Sequence, residues 1–339
     1  MGHKTRFVPM LAAACGILMF VTDSRTVMQA AMEAVELCVK TVIPALFPMF
    51  FLCILLTGNL SLTSEKLRSR HANGKASFVP FLICGFLGGY PTGAKSVAQA
   101  CASGRLCKED ASSLLACCNQ AGPAFILGIL GTQFDAEFAP IAIWGVQLLS
   151  AIVLFLFWQP KSIVMTKNVY STSLSAADAL NAAASAIVKV CGWVILFRCL
   201  IGWCGKVLNW LPAALQTVLV GLLELTNGCI QLRTIQNEGV RFIVCSALLT
   251  FGGICVIFQT MAVMGDLPIQ KYLKGKIVQS SFSLSISACT ASLLFPGQIP
   301  GPVPIFAAVF ILIFAFYARK GKIVVDFPAK KVYNNADKA

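Results

Sequence analysis

Charge is scarce in this sequence. Of its 339 residues, 12% are Asp, Glu, Lys or Arg and 57% are hydrophobic, whereas an average soluble domain carries about 25% charge and about 45–50% apolar residues. A soluble body of this composition would expose large adhesive patches, because its long uncharged runs have no water-facing side. The same hydrophobicity excludes a disordered chain, and the length excludes a small secreted disulfide scaffold. Histidine is nearly absent: His3 stands near the terminus and His71 in a basic stretch. That removes zinc-binding helix motifs and any Ser-His dyad inside the membrane. The fifteen cysteines contain no CxxC pair and lie mostly in apolar runs, Cys15, Cys53, Cys84, Cys191, Cys255 and Cys289 among them. Such thiols behave as small hydrophobes and suit a reducing cytosol at synthesis. No paired acids occur in the apolar runs either, so the sequence argues against an enzyme and implies no resident cofactor.

What is present reads as a polytopic integral membrane protein, all-α and a single domain over 1–339. The net charge of +13 comes from 27 Lys plus Arg against 14 Asp plus Glu. These basic residues gather at segment ends: Lys4 and Arg6, then Lys66, Arg68, Arg70 and Lys75, then Arg319, Lys320 and Lys322. That placement follows the positive-inside rule rather than the clustering of a nucleic-acid site. It puts both termini and the 61–77 loop in the cytoplasm, which requires an even number of crossings.

A membrane helix needs about 20 mostly apolar residues. The first run is 7–21, followed by 41–58, 78–88, 111–131, 138–158, 186–204, 211–226, 242–264, 277–295 and 303–318. Several are broken by Gly, Pro or polar clusters, so about 8–10 membrane segments are expected, some of them broken or re-entrant. Residues 26–40 differ. Glu33, Glu36 and Lys40 fall on one side of a helix and Val27, Ala31, Val35 and Cys38 on another, an amphipathic pattern for the interface or for lining a bundle. Pro44 and Pro48 follow, to kink a helix or turn a hairpin. If 27–58 were such a hairpin, the two halves of the chain would be inverted.

The order of elements repeats. Val39-Lys40 and the run after it match Val188-Lys189 and its run, Gly85–Thr92 match Gly221–Gly228, and Asn119–Pro123 match Thr250–Ile254. This defines a first repeat at 27–159 and a second at 176–318, the second lacking the basic loop. Duplicated halves with interruptions at matching positions are the sequence sign of a secondary transporter, because unwound backbone is tolerated in a bilayer only beside protein or a watery cavity.

The interruptions carry the candidate site. Gly89-Tyr90-Pro91-Thr92-Gly93 precedes Lys95; the lysine reads either as solvated on a tight turn or as a membrane-depth group for an anion or a carboxylate. Asn119, Gln120 and Gly122 form the second interruption, their carboxamides either bonding helices together or lining a substrate cavity. The third is Glu224, Thr226, Asn227 and Gly228. Its acid can take a coupling proton, help hold Na⁺, or pair with Lys95. Gly252 and Gly253 form the fourth, with Gln259 downstream. Lys189 and Arg198 read as snorkelling residues, and the serines of 279–292 as a close-packing face.

GGYPTGAK at 88–95, CNQAGP at 118–123, ELTNG at 224–228 and FGG at 251–253 resemble the YlbJ-type sporulation integral membrane proteins. These belong to the wider nucleoside-recognition (Gate) group, which is similar in repeat pattern to concentrative nucleoside transporters. The resemblance covers roughly 7–318. It implies a bacterial cell-membrane protein of the mother cell or outer forespore membrane that moves dipicolinic acid during sporulation. Such a planar aromatic dicarboxylate needs cationic or N–H donors and a flat slot; Lys95, Asn119, Gln120, Asn227 and the helix ends at Gly93 and Gly228 offer donors, and Tyr90 or Phe125 a face. A nucleoside would draw on the carboxamides and Glu224 instead, and a non-transporting scaffold for spore-envelope assembly would need neither. The expected partners are a small-molecule substrate and the lipid bilayer, with self-association compatible.

Overall fold

The computed structural model describes residues 4–68, 78–102, 106–157 and 174–319. Every regular element among the described residues is helical. Six stretches are long and apolar enough to cross a bilayer: Ser24–Leu56, Lys108–Leu130, Ala139–Leu156, Ala176–Gly205, Glu238–Met261 and Ile269–Leu294. Their outer surfaces expose Leu56, Leu149, Leu196, Ile277 and Leu293. Hydrocarbon accepts such a surface and requires only that backbone groups be bonded within the protein. The chain therefore has the build of an integral membrane protein.

Helix α1 (Lys4–Thr22) leads into α2 (Ser24–Leu37), which continues through a π-helical turn at Cys38–Val42 into α3 (Ile43–Arg68). The hairpin alternative at Pro44 and Pro48 is absent. Pro44 sits at the start of α3, directly after the widened π-turn, and Pro48 lies inside α3; the π-turn absorbs locally the bonding pattern that a proline upsets. Residues 27–58 are thus one helical passage, not a hairpin. Nor is α2 an isolated interfacial helix. It buries Val27, Ala30 and Ala34 against α9 (Ala176–Leu208), where Gly202 leaves only 2.7 Å between the Ala30 methyl and the place a Cβ would occupy. Arg198 is engaged within the protein: its Nη2 donates to Glu33 Oε2 at 2.6 Å. Glu36 and Lys40 pair at 2.5 Å, as their spacing suggests. The 61–77 loop is helical up to Arg68, and its remainder, with His71, lies outside the described residues.

Two kinds of short-helix unit follow. Helices α4 (Val79–Gly88) and α5 (Thr92–Ala102) fold back on each other, while α6 (Lys108–Cys118) and α7 (Pro123–Leu130) are halves of one interrupted passage; α8 (Ala139–Phe157) completes this half. After α9 the order recurs. Helices α10 (Ala213–Leu223) and α11 (Leu225–Ile230) fold back, α12 (Glu238–Phe251) and α13 (Gly253–Met261) form an interrupted passage, and α14 (Ile269–Leu294) is continuous, with α15 (Pro302–Arg319) packed on its outside. Helix starts are capped where the sequence offers an acceptor: Cys107 Sγ for Asp110 N, Ser175 Oγ for Asp178 N and Asn237 Oδ1 for Val240 N. Contacts come in matching pairs. α3 packs on α7 as α9 packs on α13, and α8 on α12 as α14 on α6. Of the α14 serines, Ser283, Ser285 and Ser287 are buried, and Ser283 Oγ donates to Ser246 O of α12 at 3.0 Å.

Candidate functional site

Each interruption is held by a different local device. At the α4–α5 tip, Gly89 has φ +72° and the Tyr90–Pro91 peptide is cis; Thr92 N donates to Gly89 O at 2.9 Å, so Thr92 opens α5. Between α6 and α7 the chain unwinds at Asn119–Gly122, and Pro123, lacking an N–H, starts the next half-helix where a donor is dispensable. Glu224, extended and 1% exposed, caps α11. Its Oε1 accepts from Thr226 N at 3.1 Å, and its Oε2 from Asn227 N at 2.7 Å and Asn227 Nδ2 at 2.6 Å. Gly252 and Gly253 have φ +89° and +73°, ending α12 in a left-handed turn that other residues rarely adopt.

The four interruptions meet. A Cβ on Gly122 would stand 3.2 Å from Gly89 Cα, one on Gly252 3.4 Å from the Tyr90 ring, and one on Gly253 2.8 Å from Gly221 O. Tyr90, at the tip of the first fold-back, reaches into the second half and donates its hydroxyl to Leu249 O of α12. Between them lies a cavity of about 30 Å³ whose wall includes Tyr90, Gly122, Glu224, Thr226 and Gln259, with Phe125, Val190 and Val256 as its apolar face. Gln259 gives one amide N–H to Cys255 Sγ at 3.3 Å. Val42, from the π-turn, closes the wall.

Other sequence candidates fall elsewhere. Lys95 is only partly buried, and its Nζ donates to Ala182 O of α9 at 3.4 Å. It neither faces the cavity nor pairs with Glu224, whose oxygens are taken by the α11 amides and Asn227. Gly93 and Gly228 serve contact between backbones. A Cβ at Gly93 would lie 1.7 Å from Cys118 O, and one at Gly228 2.2 Å from Gly221 Cα.

Asn119 and Gln120 bond helices together and are absent from the cavity wall. Asn119 Nδ2 donates to Thr260 Oγ1 at 2.8 Å and Tyr272 OH at 2.9 Å. Gln120 and Gln279 exchange amide bonds of 3.0 and 2.9 Å, and Gln147 Nε2 adds a third amide to Gln120 Oε1 at 3.1 Å. Attached to this network is a residue that sequence reasoning missed. Lys276, on α14 and 0% exposed, donates to Gln279 Oε1 at 3.2 Å, and its Nζ stands 5.6 Å from the centroid of the Tyr90 ring. It escaped notice because the apolar run resumes at Ile277, so Lys271, Lys274 and Lys276 read together as a basic helix end. The available signal was spacing: Tyr272, Lys276 and Gln279 share one face of α14 at intervals of four and three.

No family model, curated protein or solved structure matches this chain.

Proposed function

We propose that the chain is a secondary transporter for a small solute, built from two inverted repeats, with its substrate site where the four interruptions meet. The observation that carries this reading is that convergence: unwound backbone and a buried carboxylate, both costly in lipid, surround one cavity. Helices α4, α5 and α10, of 10, 11 and 11 residues, rise about 15 Å each, half a bilayer, and α11, of 6 residues, about 9 Å, so α4–α5 and α10–α11 enter the membrane and return. The passages at 24–56, 108–130 and 139–156 then give three crossings per half, an odd number that inverts the second half. With α1 and α15 also crossing, the start of α1 and the ends of α3, α8 and α15 share a side, next in sequence to the basic residues of 66–75 and 161–167, while Asp135, Glu137 and Glu238 lie on the other side. That sorting satisfies the positive-inside rule with the cytoplasm on the basic side. It gives eight crossings and two re-entrant pairs.

Dipicolinate, the substrate that the sporulation-protein resemblance implies, is the first solute to test, with a nucleoside such as uridine as the alternative. A cavity of about 30 Å³ holds roughly one water, so an aromatic solute enters only after the two halves part. Glu224, the one acid in the wall, is the candidate coupling group for H⁺ or Na⁺. The test is counterflow of labelled dipicolinate, and separately of uridine, in proteoliposomes of the full chain. Exchange of either supports a transporter and names its solute class; exchange of neither, with protein folded and inserted, overturns the reading in favour of a scaffold.

A further inference from the structure

The cavity wall omits the most deeply buried basic group near it. Lys276 is fully enclosed, yet among the described residues its ammonium has one hydrogen-bond acceptor, Gln279 Oε1, and no carboxylate partner. A lysine side chain carries three donors, and burying its charge without an opposite one is costly. Gln279 does not relieve this. Its Oε1 already accepts from Gln120 Nε2 at 3.0 Å, while its Nε2 donates back to Gln120 Oε1 at 2.9 Å. Lys276 thus shares one neutral amide oxygen with Gln120, which supplies no charge.

The ring of Tyr90 links this group to the cavity. One ring is both part of the cavity wall and the surface over which Lys276 Nζ stands. Tyr90 sits on a fold-back tip, tied to the second half by its hydroxyl on Leu249 O. Glu224 borders the cavity elsewhere, with its charge already engaged by three N–H groups. The cavity thus has a buried amine without a carboxylate partner against the Tyr90 ring of its wall, and an apolar face of Phe125, Val190 and Val256.

We propose that Lys276 is the anion ligand of the transport site, and that the site takes a carboxylate with an apolar body whose charge Lys276 meets once the Tyr90 tip moves aside. This rests on the transporter reading for its setting and replaces Lys95 with Lys276 as the cationic contact.

The test measures binding of pyridine-2,6-dicarboxylate and of its uncharged diamide to the purified full-length protein by ligand-induced thermal stabilisation. Wild type, Lys276→Met, Lys276→Arg and Lys95→Gln are compared, with the uridine and dicarboxylate counterflow assays run in parallel. The expected result is dicarboxylate binding at least tenfold tighter than the diamide, loss of that preference in Lys276→Met, partial rescue in Lys276→Arg, and retention in Lys95→Gln. Unliganded Lys276→Met should melt no lower than wild type, since it removes an uncompensated buried charge. A markedly lower melting temperature would show a structural lysine and overturn the proposal. So would wild-type indifference to charge, a preference surviving in Lys276→Met, or one lost only in Lys95→Gln. Uridine exchange without carboxylate binding sinks this proposal and leaves the transporter; Lys276-dependent binding with no exchange does the reverse.

Discussion

At the scale of single residues, the tightest places are glycines against main chain. A methyl group at Gly93 would sit 1.7 Å from the Cys118 carbonyl oxygen, while Gly128 faces open space. We expect Gly93→Ala to destabilise the protein by about 3 kcal/mol or to prevent folding, and Gly128→Ala, inside α7, to stabilise it by about 0.5 kcal/mol; thermal unfolding in detergent compares them. Glu224→Ala would strand three buried donors, at a cost of about 2–3 kcal/mol. Glu224→Gln, which keeps one acceptor oxygen, should lose less on the same assay. Glu224 was legible in the sequence because an acid inside an apolar run has few reasons to be there. Lys276 was not, because a lysine one step before such a run looks like its flank; only the tertiary contact with Tyr90 shows that it is enclosed. Lys95 was singled out for its position after the Gly89-Tyr90-Pro91 break; the helix that follows turns its side chain towards Ala182 O of α9.

Among the elements, α2 and α3 show where periodicity stops being informative. The polar stripe of 26–40 is real, and Glu33 uses it to meet Arg198 on α9 at 2.6 Å. The uncharged run from Thr41 onward gave no sign that the two parts form one passage, since prolines usually end a helix and a π-turn has no sequence signature of its own. The side chains of this pair are 45% and 23% exposed, so a double-mutant cycle of Glu33→Gln and Arg198→Gln should return a coupling of about 1 kcal/mol or less. A coupling near zero would mean that α2 is held on α9 by Ala30 and Gly202 packing alone. The fold-backs were half legible: Gly-Pro and Glu-Thr-Asn breaks marked their tips, but not that α4 returns as α5 rather than continuing across.

For the molecule as a whole, the positions of the interruptions were readable from sequence, because glycines and prolines mark where a helix unwinds. Which parts cross was not readable, since parity depends on how 27–58 behaves. The inverted arrangement proposed above makes a direct prediction. Thiols introduced as Gln99→Cys on α5 and Ala214→Cys on α10 should react with a membrane-impermeant reagent from opposite sides of sealed vesicles. Mass spectrometry of the labelled peptides would distinguish them from the native thiols. Labelling from one side would mean parallel halves and would remove the argument for inversion.

The glycine junctions also bear on what can slide against what. Where Gly85, Gly93 and Cys118 meet main chain to main chain, no side chain is available to change rotamer and absorb a displacement, so α4, α5 and the end of α6 translate together as one block. Gly221 with Gly228 and Gly253 does the same for α10, α11 and the start of α13. Between the blocks, a Cβ on Gly252 would stand 3.4 Å from the Tyr90 ring, and two polar ties cross: the Tyr90 hydroxyl to Leu249 O and Asn119 Nδ2 to Thr260 Oγ1. The fold therefore has two stiff pieces held by a few breakable bonds, and the Tyr90 facet between them borders the cavity.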